Sequence, residues 1–227
     1  DKKLLTYTTA APLISPKEQD IIKLLCESIV NGEPDYPVQL LIRMHPQDDI
    51  ARYENLAEYK DNKNIIFETA GKVSSAYFDK WSPTSSEIDH YADILFHSDV
   101  LINVASTVAI EASIFDTPII NIVYDGYQNV DYCESAVRHY DFIHYRNIVK
   151  TGGVKLARNN DELIKHINQY LKDPCLDQAG RKKIVEQQCY KLDGRAGERI
   201  ANYLLKQIGD VSDEAAVTAD TTNSPGL

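Results

Sequence analysis

Short runs of apolar residues alternate along this chain with longer stretches in which apolar side chains recur every three or four positions. Residues 3–9 (KLLTYTT) read as a buried strand, followed by a loop that carries Pro12 and Pro16. Over 17–31, Ile21, Ile22, Leu24, Leu25 and Ile29 recur at helical spacing. Residues 37–43 (PVQLLIR) give a second strand, which stops at Pro46 because proline cannot continue a sheet ladder. Residues 48–59 read as helical, with Asp48 or Asp49 near the start, and 64–68 (NIIFE) as a third strand. The polar stretch 71–86 contains Trp81 and Pro83, and Ser86 is placed to cap a helix that runs to Leu95 or His97.

The second half continues the alternation. A fourth strand covers 99–104, a short helix 106–115 and a fifth strand 118–123. A loop-rich segment with Gly152-Gly153 follows, and 154–157 can supply a sixth strand. A helix starting at Asn160 or Asp161 carries Ile164, Ile167 and Leu171 on one face, and Pro174 ends it. Helical stretches at 177–190 and 195–208 come next, and 209–227 lacks periodic apolar positions and predicts a disordered tail. Apolar strands alternating with amphipathic helices predict a doubly wound α/β fold. Its sheet is mostly parallel and Rossmann-like, with five or six strands, helices on both faces and a helical C-terminus. A five-stranded flavodoxin-like sheet is the alternative. The expected organisation is one domain over residues 1–208, then the tail.

Composition narrows the partners. The chain has 227 residues, 43% hydrophobic and 26% charged, enough for a sizeable core. Its longest apolar stretches, near 100–104 and 118–124, fall far short of the ~20 residues that span a bilayer. A net charge of −10 opposes binding along a DNA or RNA backbone, so no nucleic-acid partner is expected. It leaves room for a small anionic ligand, which needs only one or two local cations or a helix N-terminus. Cys26, Cys133, Cys175 and Cys189 are widely spaced without a CxxC, and read as reduced thiols in a cytoplasmic protein. The chain opens at Asp1 and its sole methionine is Met44, which suggests an excised fragment or a processed product. No HExxH, P-loop, GxSxG or GxGxxG occurs, and neither a metal site nor a cofactor is expected.

In a doubly wound sheet, ligands bind beyond the carboxyl ends of the strands, where strand order reverses. With the order 3-2-1-4-5-6, that crevice lies between the first and fourth strands. Thr8 and Thr9 end the first, Arg43 and His45 leave the second, and Ser106 and Thr107 follow the fourth. Ser106 or Thr107 can cap the next helix, whose exposed N–H groups would make an anion site. Glu111 lies four positions after Thr107, on the same helix face, and suits a bidentate bond to vicinal hydroxyls. A solvent-edge or salt-bridged role is its bland alternative. Val108, Ala112 and Phe115 are the expected packing side of that helix. His45 is either a phosphate-gripping imidazole or a structural one. Arg43 either adds charge to the site or pairs with a neighbouring acid. Trp81 could stack on a base or plug a loop.

These residues resemble a known arrangement. Arg43-Met44-His45-Pro46, Ala92-Asp93-Ile94-Leu95, Ser98 through Ile102, Ser106-Thr107 through Glu111-Ala112 and Thr117-Pro118-Ile119-Ile120 recur in this order elsewhere. The family is the donor-binding, C-terminal domain of GT-B glycosyltransferases. The likeness is nearest to CDP-glycerol glycerophosphotransferase-like and capsular polysaccharide transferases, with the UDP-N-acetylglucosamine 2-epimerase-like branch nearby. Asp161 through Ile164, Tyr170-Leu171, Asp173-Pro174, Gly180-Arg181 and Asp193-Gly194 extend it, so that it spans roughly residues 37–205.

The resemblance implies two Rossmann-like domains with the active site between them. This chain would hold a nucleoside-diphosphate-linked sugar or glycerol phosphate, for transfer to a glycan or lipid-linked acceptor. Thr8, Thr9, Arg43, His45, Ser106, Thr107 and Glu111 would be donor-binding: His45 on phosphate, Ser106 and Thr107 on phosphate or sugar, Glu111 on hydroxyls. The N-terminal acceptor domain would be missing, so the chain by itself would bind without turnover. The glycerophosphotransferase pattern has Asp-Tyr-Ser-Ser where this chain has Asn103-Val104-Ala105-Ser106-Thr107, a departure that leans towards a sugar donor. A sugar-nucleotide 2-epimerase and a non-catalytic nucleotide-binding domain are the alternatives. The expected location is cytoplasmic, with peripheral membrane attachment left open.

Overall fold

The computed structural model describes residues 2–70, 83–127 and 130–220, with 210–220 described by their backbone only. Among these residues six strands form one parallel sheet: β1 (Lys3–Thr8), β2 (Val38–Met44), β3 (Ile65–Thr69), β4 (Val100–Asn103), β5 (Ile119–Ile122) and β6 (Lys155–Ala157). Their order is β3-β2-β1-β4-β5-β6, the Rossmann-like arrangement rather than the flavodoxin-like one. Among the described residues seven α-helices accompany them: α1 (Glu18–Val30), α2 (Ser85–His97), α3 (Val108–Ile114), α4 (Ile143–Lys150), α5 (Asn160–Lys172), α6 (Gln178–Gln188) and α7 (Ala196–Asp220).

Side chains alternate across each strand, so each face of the sheet builds its own core. On one face Leu5, Tyr7, Leu40, Ile42 and Ile102 pack with Ile21, Leu25, Leu163 and Ile167 of α1 and α5. On the other, Leu101 and Ile119 pack with Leu95, Ala109, Ala112, Tyr145 and Ile184 from α2, α3, α4 and α6. This second face changes character towards the carboxyl edge. There Glu68, Arg43, Thr8, Asn103 and Asn121 stand side by side in register across five strands. Thr8 and Arg43 of this polar row line the crevice at which strand order reverses.

Several local expectations are corrected. The cap of α2 is Thr84, not Ser86: Thr84 and Glu87 bond each other's backbone N–H in a reciprocal capping box. Residues 50–59 form a 3-10 rather than an α-helical segment, with Tyr53 off helical geometry at φ −108°. Arg52 and Tyr53 are both tied to Asp48 there, which competes with a regular helix. The segment read as loop-rich holds a 3-10 turn, Ala136–Asp141, and α4, whose Tyr145 and Ile148 are buried. On α3 the buried residues are Ala109, Ala112 and Ser113, while Phe115 is exposed.

The chain divides into two compact units, Asp1–Gln188 and Cys189–Leu227. The second contains α7, whose start is tied by Arg195–Glu198 and Arg199–Asp193 ion pairs. Residues 209–220, the first part of the segment read from the sequence as a tail, fall within the bounds of α7. The remainder of that tail, 221–227, lies outside the described residues.

Candidate functional site

A cavity of about 370 Å3 opens at the carboxyl edge, within the size range of small-molecule sites. Thr8, Thr9, Arg43, His45, Ser106, Thr107 and Glu111 all line it, brought from three strand ends and one helix. The loops bearing His45 and Ser106 therefore share one hollow. The sequence reading missed the contribution of α2, which adds Glu87, Ile88 and Tyr91 to the wall. Trp81 lies outside the described residues.

His45 is placed by a chain of hydrogen bonds that starts at Asp48. The Asp48 carboxylate is fully buried and accepts from Arg52 Nη1 at 2.6 Å, Tyr53 Oη at 2.5 Å and Thr9 Oγ1 at 3.1 Å. Thr9 Oγ1 accepts the backbone N–H of His45 at 2.8 Å. The single hydroxyl proton of Thr9 is thus committed to Asp48, and Thr9 supports His45 rather than offering a donor to the cavity. The His45 ring is fixed as well: Nδ1 accepts the Gln47 N–H at 3.1 Å, so the proton of the neutral imidazole resides on Nε2. Burial lowers the His45 pKa below its ordinary 6.5, against a smaller opposing pull from Asp48. At neutral pH His45 is an uncharged N–H donor.

Arg43 resolves towards pairing. Its guanidinium meets the Glu68 carboxylate and lies over the Tyr91 ring, 5.3 Å from the centroid. It lines the cavity with its charge already balanced. Thr8 differs from Thr9: its hydroxyl is buried and has no partner among the described residues. Buried polar atoms are rarely left so.

The β4–α3 turn offers fewer free N–H groups than its sequence suggests. Tyr140 Oη accepts the Ala105 N–H at 3.0 Å and donates to the Ile122 carbonyl at 2.7 Å, stapling the turn to β5. Ser106 Oγ accepts the N–H of Val108, the first residue of α3, at 3.3 Å, while its hydroxyl proton remains available to donate. Thr107 is exposed at the rim. The anion-facing chemistry of this turn lies in hydroxyls more than in backbone amides. Glu111 lines the wall beside them and accepts a hydrogen bond from Tyr91.

Below the turn, Glu18 is the other residue the sequence did not single out. It is wholly buried at the start of α1 and accepts from Tyr7 Oη at 3.0 Å and from the Ala10 N–H through both oxygens. Burial raises its pKa to about 8, well above its ordinary value. The β1–α1 connection is thereby anchored just beyond Thr8 and Thr9.

Among the described residues no helix is long and apolar enough to cross a membrane. Among solved structures, a variant of the wall teichoic acid polymerase TagF soaked with CDPG matches at 21% identity and a TM-score of 0.53, over 92% of this chain and 42% of that one. A second TagF structure matches at 19% and 0.53, over 92% and 45%. A co-structure of S. aureus MnaA with UDP matches at 16% and 0.53, over 92% and 47%. The chain thus spans less than half the length of these relatives, and the likeness is one of fold. No curated protein sequence matches. The model of the CDP-glycerol:poly(glycerophosphate) glycerophosphotransferase family matches residues 32–206, from before β2 into α7. With the fold, the polar crevice and that match over most of its length, this chain belongs to the CDP-glycerol:poly(glycerophosphate) glycerophosphotransferase family.

Proposed function

We propose that this chain is the donor-binding half of a GT-B-type transferase that holds a nucleoside-diphosphate-linked group. The observation that carries the reading is the shared cavity, in which His45, Ser106 and Thr107 line the same space as Glu111, with Thr8 in its wall. Hydrogen-bond donors that strengthen as charge builds on a departing diphosphate lower the barrier to group transfer. His45 Nε2–H and the Ser106 and Thr107 hydroxyls are such donors, and Thr8 can supply a third hydroxyl. Glu111, an acceptor, suits the hydroxyls of a ribose or of the transferred group.

Family membership supports glycerol phosphate as the group carried, whereas the Asn103-Val104-Ala105 departure favours a sugar. The acceptor, a glycan or a lipid-linked one, would be presented by a second domain, and the chain by itself would bind donor without turnover. The working location is cytoplasmic, with peripheral attachment at a membrane surface. Calorimetry of the 227-residue chain with UDP, CDP, GDP, UDP-glucose and CDP-glycerol tests the reading. Binding of at least one nucleotide, lost on His45→Ala, is expected. No binding of any at millimolar concentration overturns the proposal, and release of free nucleotide during incubation overturns the absence of turnover.

A further inference from the structure

Glu111 does not stand alone in the cavity wall. Tyr91 of α2 donates its hydroxyl to Glu111 Oε2 at 2.5 Å, bridging α2 to α3. The tyrosine is itself held in place. Its ring lies under the Arg43 guanidinium, which pairs with Glu68, whose second oxygen meets His90 Nε2 at 3.2 Å. Burial, and then the adjacent Glu111 charge, raises the Tyr91 phenol above its ordinary range, so it remains a proton donor at any working pH. The cation over the ring face draws on its electron density and makes the phenol a better donor.

A carboxylate has two oxygens and about four lone-pair sites. Tyr91 occupies Oε2, and among the described residues Oε1 has no hydrogen-bond partner. An unrestrained glutamate must give up several rotamers when it grips a ligand, whereas one already held by a neighbour gives up few, a difference of about 2- to 10-fold in affinity. We propose that Tyr91 is a positioning residue which sets the cavity's selectivity for a vicinal diol, by holding Glu111 in one rotamer with Oε1 left for the ligand. This rests on the donor-site reading above and adds the residue that governs hydroxyl recognition. The diol belongs either to the ribose of the nucleotide or to the transferred group, and the choice of probes separates the two.

Dissociation constants are measured on the full chain, as wild type and as Tyr91→Phe, which keeps the ring beneath Arg43 and removes only the hydroxyl. One pair of probes is CDP against 2′,3′-dideoxy-CDP, with the uridine counterparts. The other is CDP-glycerol against CDP, and UDP-glucose against UDP. Wild type is expected to prefer the hydroxyl-bearing member of one pair by about tenfold, as fits one charge-assisted hydrogen-bonded contact. The pair that shows the preference identifies the source of the diol. In Tyr91→Phe that preference shrinks to about twofold or less, while affinity for the member lacking the hydroxyls is unchanged. A preference that survives in the variant overturns the proposal, as does equal weakening of both members, which would mark Tyr91 as a packing residue. Wild-type binding without any preference overturns it too, because Glu111 would then meet no diol. Failure of wild type to bind any probe is a different result and removes the donor-site reading itself.

Discussion

Replacing Glu18 by glutamine makes the buried carboxyl neutral at every pH while keeping an oxygen for the Tyr7 hydroxyl and the Ala10 N–H. In the wild type this carboxyl ionises at about 8, against an ordinary value of 4.5, chiefly because burial penalises its charge. The Ala10 and Tyr7 hydrogen bonds pull the other way, Asp48 adds to the rise and Arg52 reduces it. Between those two values the folded protein retains a proton that the unfolded chain has released. Stability from this group is therefore fully present below the lower value and is lost as pH rises through the upper one. The span corresponds to roughly 3–5 kcal/mol, a large fraction of the total stability of a typical domain. Urea unfolding followed by circular dichroism at steps from pH 5 to 9 measures it, with the difference between wild type and Glu18→Gln cancelling the other titrating groups. Glu18→Gln should gain on the wild type steadily as pH rises and overtake it in relative stability at the alkaline end. Parallel curves, within about 0.5 kcal/mol across the range, would refute the reasoning. They would mean that the Ala10 N–H and Arg52 suffice to keep Glu18 charged throughout.

Three further outcomes follow from the geometry. Because the neutral His45 donates through Nε2 and its pKa is lowered, nucleoside-diphosphate affinity should stay flat from pH 7 to 8.5; a steep loss over that range in calorimetric titrations would require a cationic His45. Asp48→Asn should slacken the Thr9–His45 connection and weaken nucleotide binding by about tenfold, read by the same titrations, while leaving the Glu111 hydroxyl preference in place. Gly180→Ala should destabilise the chain by about 1–3 kcal/mol in urea unfolding, since its new methyl group would collide with the Gly152–Gly153 backbone.

Much of the framework was legible because its signals are local. Strands such as VLIN and IINI are buried throughout and apolar but for Asn103 and Asn121, as suits strands covered on both faces, and Pro46 and Pro174 punctuate the elements that precede them. The Thr84-Ser85-Ser86-Glu87 box was equally present in the sequence, and attention to the reciprocal partner would have placed the α2 cap correctly. The short α4 was not legible, because two buried positions in eight residues, Tyr145 and Ile148, barely constitute a period. Nor did Phe115 reveal itself as exposed beyond the end of α3, since a helix of seven residues admits more than one apolar face.

The sequence by itself determined the alternation of strands and helices and therefore the class of fold. It also determined which residues would stand at the carboxyl ends of the strands, and all seven site candidates line a single cavity at that edge. What those residues are free to do was decided only by tertiary structure. Whether Arg43 carries an open charge depends on Glu68, one strand away, and whether Thr9 can donate depends on Asp48, 39 positions along the chain. Tyr91 and Glu111 are 20 residues apart and meet only because α2 and α3 cover the same face of the sheet. Hydrogen-bond capacity and charge are consumed by neighbours in space, and no local pattern of residues records who those neighbours will be.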